Sequence, residues 1–137
     1  MPSVRSYDII GVGFEDEVYI SSSVYFSYTY ANADGDYTTS TDYYYRQKTS
    51  TGGSVAYKFP SGDVRAMTAV LYYDVAKDTT STITELNMCG DYSHATTNVG
   101  YSNYSNHDIT LDGIQLGSNM SYYDAIPCAV STWYGSW

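Results

Sequence analysis

The chain has 137 residues and a formal net charge of −9, from six basic and fifteen acidic side chains. That length is one domain's worth, and folding buries about two thirds of the surface an unfolded chain of this size exposes. So acidic a chain carries nothing to neutralise a phosphate backbone or to grip an anionic bilayer, which excludes nucleic acid and a polybasic membrane contact.

The composition is unusual in its rings. Eighteen tyrosines accompany two tryptophans and three phenylalanines, while charged residues are only 15% of the chain, against about 25% in an average soluble domain. All six basic residues (Arg5, Arg46, Lys48, Lys58, Arg65, Lys77) fall in the first part of the chain, and none follows Lys77. No apolar run approaches the roughly 18 residues of a membrane-spanning helix. Met1-Pro2-Ser3 leads into Val4-Arg5-Ser6-Tyr7 without an apolar segment, so no secretory signal is expected and synthesis in the cytoplasm is.

Along the chain the hydrophobic period is two. From Val18 to Tyr30 the even positions are mostly apolar and the odd ones mostly hydroxyl-bearing, which predicts one long strand with a buried and a wet face. Ala33-Asp34-Gly35-Asp36 predicts a turn, since Asp and Gly tolerate left-handed backbone. Strands are predicted over Tyr37–Lys48 and Ser54–Phe59. Pro60-Ser61-Gly62-Asp63 then reads as a hairpin turn into Val64–Val75. Apolar residues on both faces of that strand's second half predict a central, buried position. Further strands are expected at Thr79–Met88, Ile109–Leu116 and Tyr122–Trp133, the last two separated by Gly117-Ser118-Asn119. Between Cys89 and Asn106 the chain is polar and reads as a long loop. No segment carries a 3.6-residue period. The expected fold is a single-domain antiparallel β-sandwich, all-β, over residues 1–137.

Motifs for chemistry are sparse. Gly11-Val12-Gly13 lacks a third glycine and a following helix, so it marks the end of a strand and holds no nucleotide. His94 and His107 sit in polar, turn-rich surroundings and read as solvated loop residues. Neither has partners at metal-ligand spacing. Glu15-Asp16-Glu17 reads as a solvated charge run. Asp34 and Asp36 gather hard oxygen ligands of the calcium type, in a loop too short for an EF-hand. No metal, cofactor or enzymatic activity is expected. Cys89 and Cys128 read either as two buried free thiols or as one long-range disulfide.

The tyrosines are the positive signal. Neighbours on a strand point to opposite faces, so the run Tyr43-Tyr44-Tyr45 must put rings at the surface, with Tyr43 and Tyr45 sharing one face. Exposed tyrosines suit stacking on sugars, cationic headgroups or the lipid interface. The terminal Trp133-Tyr134-Gly135-Ser136-Trp137 either joins that surface or docks on its own domain.

The residues resemble a family. Ile9 to Ile20, with its Gly-rich first strand and returning Val18-Tyr19-Ile20, is similar to the opening of the aegerolysins, and Asp34-Gly35-Asp36 falls where many members carry an Asp-Gly-Asp turn. Thr51-Gly52-Gly53-Ser54-Val55-Ala56-Tyr57, the Gly62-Asp63 hairpin and Leu71-Tyr72-Tyr73-Asp74 follow in the family's order, as does Gly113-Ile114-Gln115-Leu116-Gly117-Ser118 near the end. The likeness is greatest to the small components of bacterial two-component insecticidal toxins. Three departures are plain. Val75-Ala76-Lys77 replaces a Pro-containing loop, the Cys89–Asn106 segment is long, and tyrosines (Tyr28 or Tyr30, and Tyr73) stand where fungal members place tryptophans.

The resemblance implies a β-sandwich that binds a membrane lipid or receptor without being an enzyme. It also implies a larger pore-forming partner of the perforin type, the pair permeabilising target-cell membranes such as those of the insect gut. The candidate lipid- or receptor-binding residues are then Tyr28, Tyr30, Tyr43, Tyr44, Tyr45, Tyr73, Asp74, Trp133 and Trp137. Two other functions fit the same sequence. One is a glycan-binding lectin using Asp74, Asn103 and Asn106, and the other is a filament or capsid-decoration subunit, which would be a homo-oligomer.

Overall fold

The computed structural model describes residues 7–58, 64–95, 107–116, 123–125 and 128–137. In chain order its strands begin with β1 (Tyr7–Phe14), β2 (Val18–Ile20), β3 (Tyr25–Asn32), β4 (Tyr37–Ser40) and β5 (Tyr45–Thr49). β6 (Gly52–Lys58), β7 (Val64–Tyr72), β8 (Val75–Lys77) and β9 (Glu85–Ala95) follow. The last are β10 (His107–Thr110), β11 (Gly113–Leu116), β12 (Tyr123–Ala125) and β13 (Ala129–Tyr134). No helix occurs among the described residues. All pairings are antiparallel, and the architecture is the expected all-β sandwich.

The larger sheet has the order β12-β9-β1-β6-β5, with β13 pairing β9 on the same side as β12. The smaller sheet is β4-β3-β7, and β2-β8 and β10-β11 are two-stranded. β1 is central because, Asp8 apart, both of its faces are apolar or small. Val12 and Phe14 join Val18, Ile20, Val24, Phe26, Val55, Tyr57, Ile83 and Leu86 in the core between the sheets. Tyr7 and Ile9 point the other way, into a second cluster with Ala56, Ile109 and Ile114 under the β10-β11 hairpin. Each fully buried aliphatic side chain of this kind contributes about 1.5–3 kcal/mol.

The hairpin sits directly on β1. A Cβ at Gly13 would lie 1.7 Å from the Thr110 carbonyl oxygen, so only glycine lets the two backbones approach. The Ala33–Asp36 turn forms as expected, joining β3 to β4 with Gly35 at φ 82°. The Asn32 side-chain oxygen accepts the backbone N–H groups of Asp34 and Asp36, an Asx arrangement that fixes the turn.

These expectations are corrected. The strand expected over Ile109–Leu116 is the β10-β11 hairpin, turning at 111–112. The strand predicted from Val18 to Tyr30 is two strands in different sheets, broken at Ser21-Ser22-Ser23, where Ser21 N–H bonds the Asp74 carbonyl and Asp74 N–H bonds Ser22 Oγ. Tyr37–Lys48 likewise divides into β4 and β5. β6 and β7 do not form a hairpin, because β6 pairs with β1 and β5 while β7 pairs with β3. β7 is an edge rather than a central strand, with Val70 45% and Tyr72 53% exposed. Finally, Thr79–Thr84 is not strand, and the segment Cys89–Ala95, read as loop, is the second half of β9. The 60–63 turn, residues 96–106 with Asn103 and Asn106, and Gly117-Ser118-Asn119 lie outside the described residues.

Candidate functional site

Where the β3–β7 pair meets the chain entering β5, the surface carries an aromatic recess of about 200 Å³. Tyr25 and Tyr72 are direct partners in the β3–β7 register, and their rings stack at 5.2 Å with 19° between planes. Thr41, Tyr43, Val24, the buried Phe26 and Arg46 of β5 complete the lining. The three tyrosines are 45–53% exposed.

Arg46 and Lys48 alternate with inward residues on β5 and both reach across the margin between the sheets. Arg46 Nη1 donates to the Val24 carbonyl at 3.4 Å, and Lys48 Nζ to that of Ser22 at 3.3 Å. The guanidinium carbon stands 5.2 Å from the Tyr43 ring centroid, a cation–π placement. A guanidinium has five N–H donors in a rigid fork, so one carbonyl contact leaves the group equipped to take an anion. The recess thus pairs an anion-binding fork with ring faces and edges, in a space the size of a small polar headgroup.

Of the nine residues singled out by sequence, the recess holds Tyr43. Tyr28 is half-buried and belongs to the core, with its ring 5.5 Å from Tyr57. Tyr30 stacks on Tyr28 at 6.0 Å. Tyr44 is exposed, with its ring edge-on to Tyr7 at 5.0 Å and its N–H bonded to the Ala56 carbonyl. Tyr45 packs against the cluster beneath the hairpin, so Tyr43 and Tyr45 do not share an exposed face. The physical reason is that 41–44 is not strand, and alternation counted through it fails.

Tyr73 turns inward, its ring 6.3 Å from Phe14, and burial raises its pKa above the ordinary tyrosine value. Asp74 is exposed, and its backbone holds the serine crossing. Trp133 and Trp137 are 40% and 41% exposed, but the tail is docked. Trp137 and Ile83 exchange backbone hydrogen bonds, and Lys77 Nζ donates to the Trp137 oxygen at 2.8 Å. Neither tryptophan lines the recess. Tyr25, Tyr72 and Arg46 are the site residues that sequence missed. Only the strand partnership of 25 with 72 would have exposed the two tyrosines.

Both histidines lie on strands and not in loops, His107 buried and the His94 side chain 42% exposed. His107 is buried on β10, its Nε2 2.8 Å from Ser54 Oγ. Ser54 is sealed from solvent, so the contact satisfies buried polar atoms and meets no substrate. His94, on β9, bonds the buried Asp8 carboxylate. Among the described residues no group of three metal-ligating side chains gathers, Asp34 and Asp36 included.

Cys89 and Cys128 are free thiols rather than a disulfide. Val130 is directly opposite Cys89 across β9 and β13, so Cys128, two residues earlier, meets Cys89 on the diagonal. The two thiols hydrogen-bond to each other there without a covalent link.

No family model, curated protein or solved structure matches the chain.

Proposed function

We propose that this protein is a non-enzymatic membrane-recognition component whose Tyr25–Tyr72–Tyr43–Arg46 recess takes a zwitterionic lipid headgroup on a target cell. The single observation that supports the reading is the combination of a guanidinium fork with three half-exposed tyrosine rings in one small recess. Arg46 takes the phosphate, and the ring faces take the adjoining ammonium group. A chain of net charge −9 gains nothing from anionic bilayers, so affinity comes from the headgroup itself and depends weakly on salt. The aegerolysin resemblance supports the second half of the proposal, in which a larger pore-forming protein is recruited once this component is bound.

The test is vesicle co-sedimentation across phosphatidylcholine, phosphatidylethanolamine, sphingomyelin and phosphatidylserine vesicles, with and without free sugars. Sugar-insensitive binding to a zwitterionic class, lost in Arg46→Ala and in Tyr43→Ala, is expected. Binding abolished by a free sugar would instead make the stacked Tyr25–Tyr72 pair a glycan platform. Binding confined to phosphatidylserine and removed by salt would overturn the headgroup reading.

A further inference from the structure

The two sheets of the sandwich are unequal, and the mismatch falls at one place. Phe26 and Tyr28 of β3 pack on Tyr57 of β6 with ring centroids 4.8 and 5.5 Å apart. Tyr73, one residue past β7, packs on Phe14 of β1. Hence β3 lies over β6 and β7 over β1. The next strand of the larger sheet is β9, and no described strand of the smaller sheet lies over its Gly90–Tyr92 stretch. A cleft of about 470 Å³ is left there, walled by Ile10, Val12, Leu71, Tyr73, Tyr92 and Ala129. A Cβ on Gly90, at its floor, would have no heavy atom within 4 Å.

The cleft runs beside the edge of β7 that faces away from β3, and that edge pairs with no described strand. An extended chain laid against it would bond its backbone to β7 and drop alternate side chains onto β9, in the manner of strand addition. The lining contains no Lys or Arg. At the margin Asp74 is exposed one residue beyond Tyr73, while Lys77 is held by Trp137. The charge an occupant meets at that end is therefore negative.

We propose that the cleft between β7 and β9 receives a β-strand from a partner protein, apolar at alternate positions and basic at the end beside Asp74, which completes the smaller sheet. The proposal is independent of the headgroup recess, which shares no lining residue with the cleft.

The probe is a synthetic capped peptide, Lys-Val-Thr-Val-Thr-Val-Lys, titrated calorimetrically into the full chain. Two further peptides carry N-methyl groups on the amides of one side of the strand or of the other. Binding of the parent peptide, loss of binding in one N-methyl form only, and slowed amide exchange in β7 are expected. Gly90→Leu fills the open floor and should weaken binding at least about tenfold, a change of about 1.4 kcal/mol, with native circular dichroism. Gly90→Ala should give a smaller loss in the same direction and serves if the larger variant misfolds. No measurable binding of the parent peptide overturns the proposal, as does an affinity that Gly90→Leu leaves unchanged or equal binding of both N-methyl forms. Displacement of the peptide by a fatty acid, with no protection of β7 by the peptide, would assign the cleft to an acyl chain and overturn it. Self-association that Gly90→Leu abolishes would assign it to a second copy, with the same consequence.

Discussion

The carboxylate of Asp8, closed to solvent, lies 2.9 Å from Nδ1 of His94 across the β1–β9 pair. Because a carboxylate only accepts, Nδ1 carries the proton. The Tyr92 hydroxyl donates to the same carboxylate, and Tyr92 forms one wall of the apolar cleft. A buried charge is tolerated only with such partners. Asp8→Ala therefore strands two donors and should cost about 2–3 kcal/mol, while Tyr92→Phe should cost about 1–3 kcal/mol. Urea unfolding followed by circular dichroism measures both. Midpoints unchanged in both variants would show that the cluster does not support the fold.

Tyr57 and Tyr92 stand beside that carboxylate, and both have raised pKa values. Burial is the largest cause in each, followed by the Asp8 charge for Tyr57 and the hydrogen bond to Asp8 for Tyr92. The folded chain thus holds these protons more tightly than the unfolded one. Their stabilising effect is complete below the ordinary tyrosine pKa of about 10 and is lost as pH rises above it. The slope from the fully buried Tyr57 alone is about 1.4 kcal/mol per pH unit. Melting temperature followed from neutral to strongly alkaline pH should fall steeply past that value. In Tyr92→Phe the fall should be shallower, and an identical slope would remove Tyr92 from this account.

Tyr43 and Tyr45, two residues apart, separate binding from stability. Tyr43 faces solvent at the recess, and its truncation to alanine should change folding stability by no more than about 0.5 kcal/mol while weakening vesicle binding. Tyr45 packs on the Ile9, Ala56 and Ile109 cluster, and Tyr45→Ala should cost about 2 kcal/mol with little effect on binding by the protein that remains folded. The reverse pattern in unfolding and co-sedimentation would place the binding face under the β10-β11 hairpin.

Much of the layering was legible in the side-chain period. Val18, Ile20, Val24 and Phe26 are all buried, as their even positions require. Yet the chain changes sheets between Ile20 and Val24 without breaking that parity, so alternation could not show the crossing at Ser21-Ser22-Ser23. The bonds that fix it come from Asp74, far along the sequence. Pairing was hidden in the same way. Nothing local tells β7 to join β3 rather than β6, and the Tyr25–Tyr72 pair exists only through that choice. The role of Asp8 was invisible too, since its partners Tyr92 and His94 lie on β9 in a segment whose Ser, Asn and Gly content resembles a loop.

Cys89 is fully buried on β9, and burial, reinforced by a hydrogen bond to Cys128, pushes its pKa up to about 12. Cys128 is half-buried, with Sγ 3.7 Å from the Leu111 carbonyl oxygen. Only the thiolate is nucleophilic, and an ordinary thiol has a pKa of about 8.5, so Cys89 should alkylate at least about a hundredfold more slowly than a free cysteine at mildly alkaline pH. Mass spectrometry after iodoacetamide treatment should show one adduct, on Cys128, for the folded chain. Two adducts should appear once urea is added. Equal labelling of both thiols in the folded state would contradict the burial of Cys89. A chain that takes no label even when unfolded, with its mass lowered by the loss of two hydrogens, would mean that the diagonal pair closes into a disulfide after all.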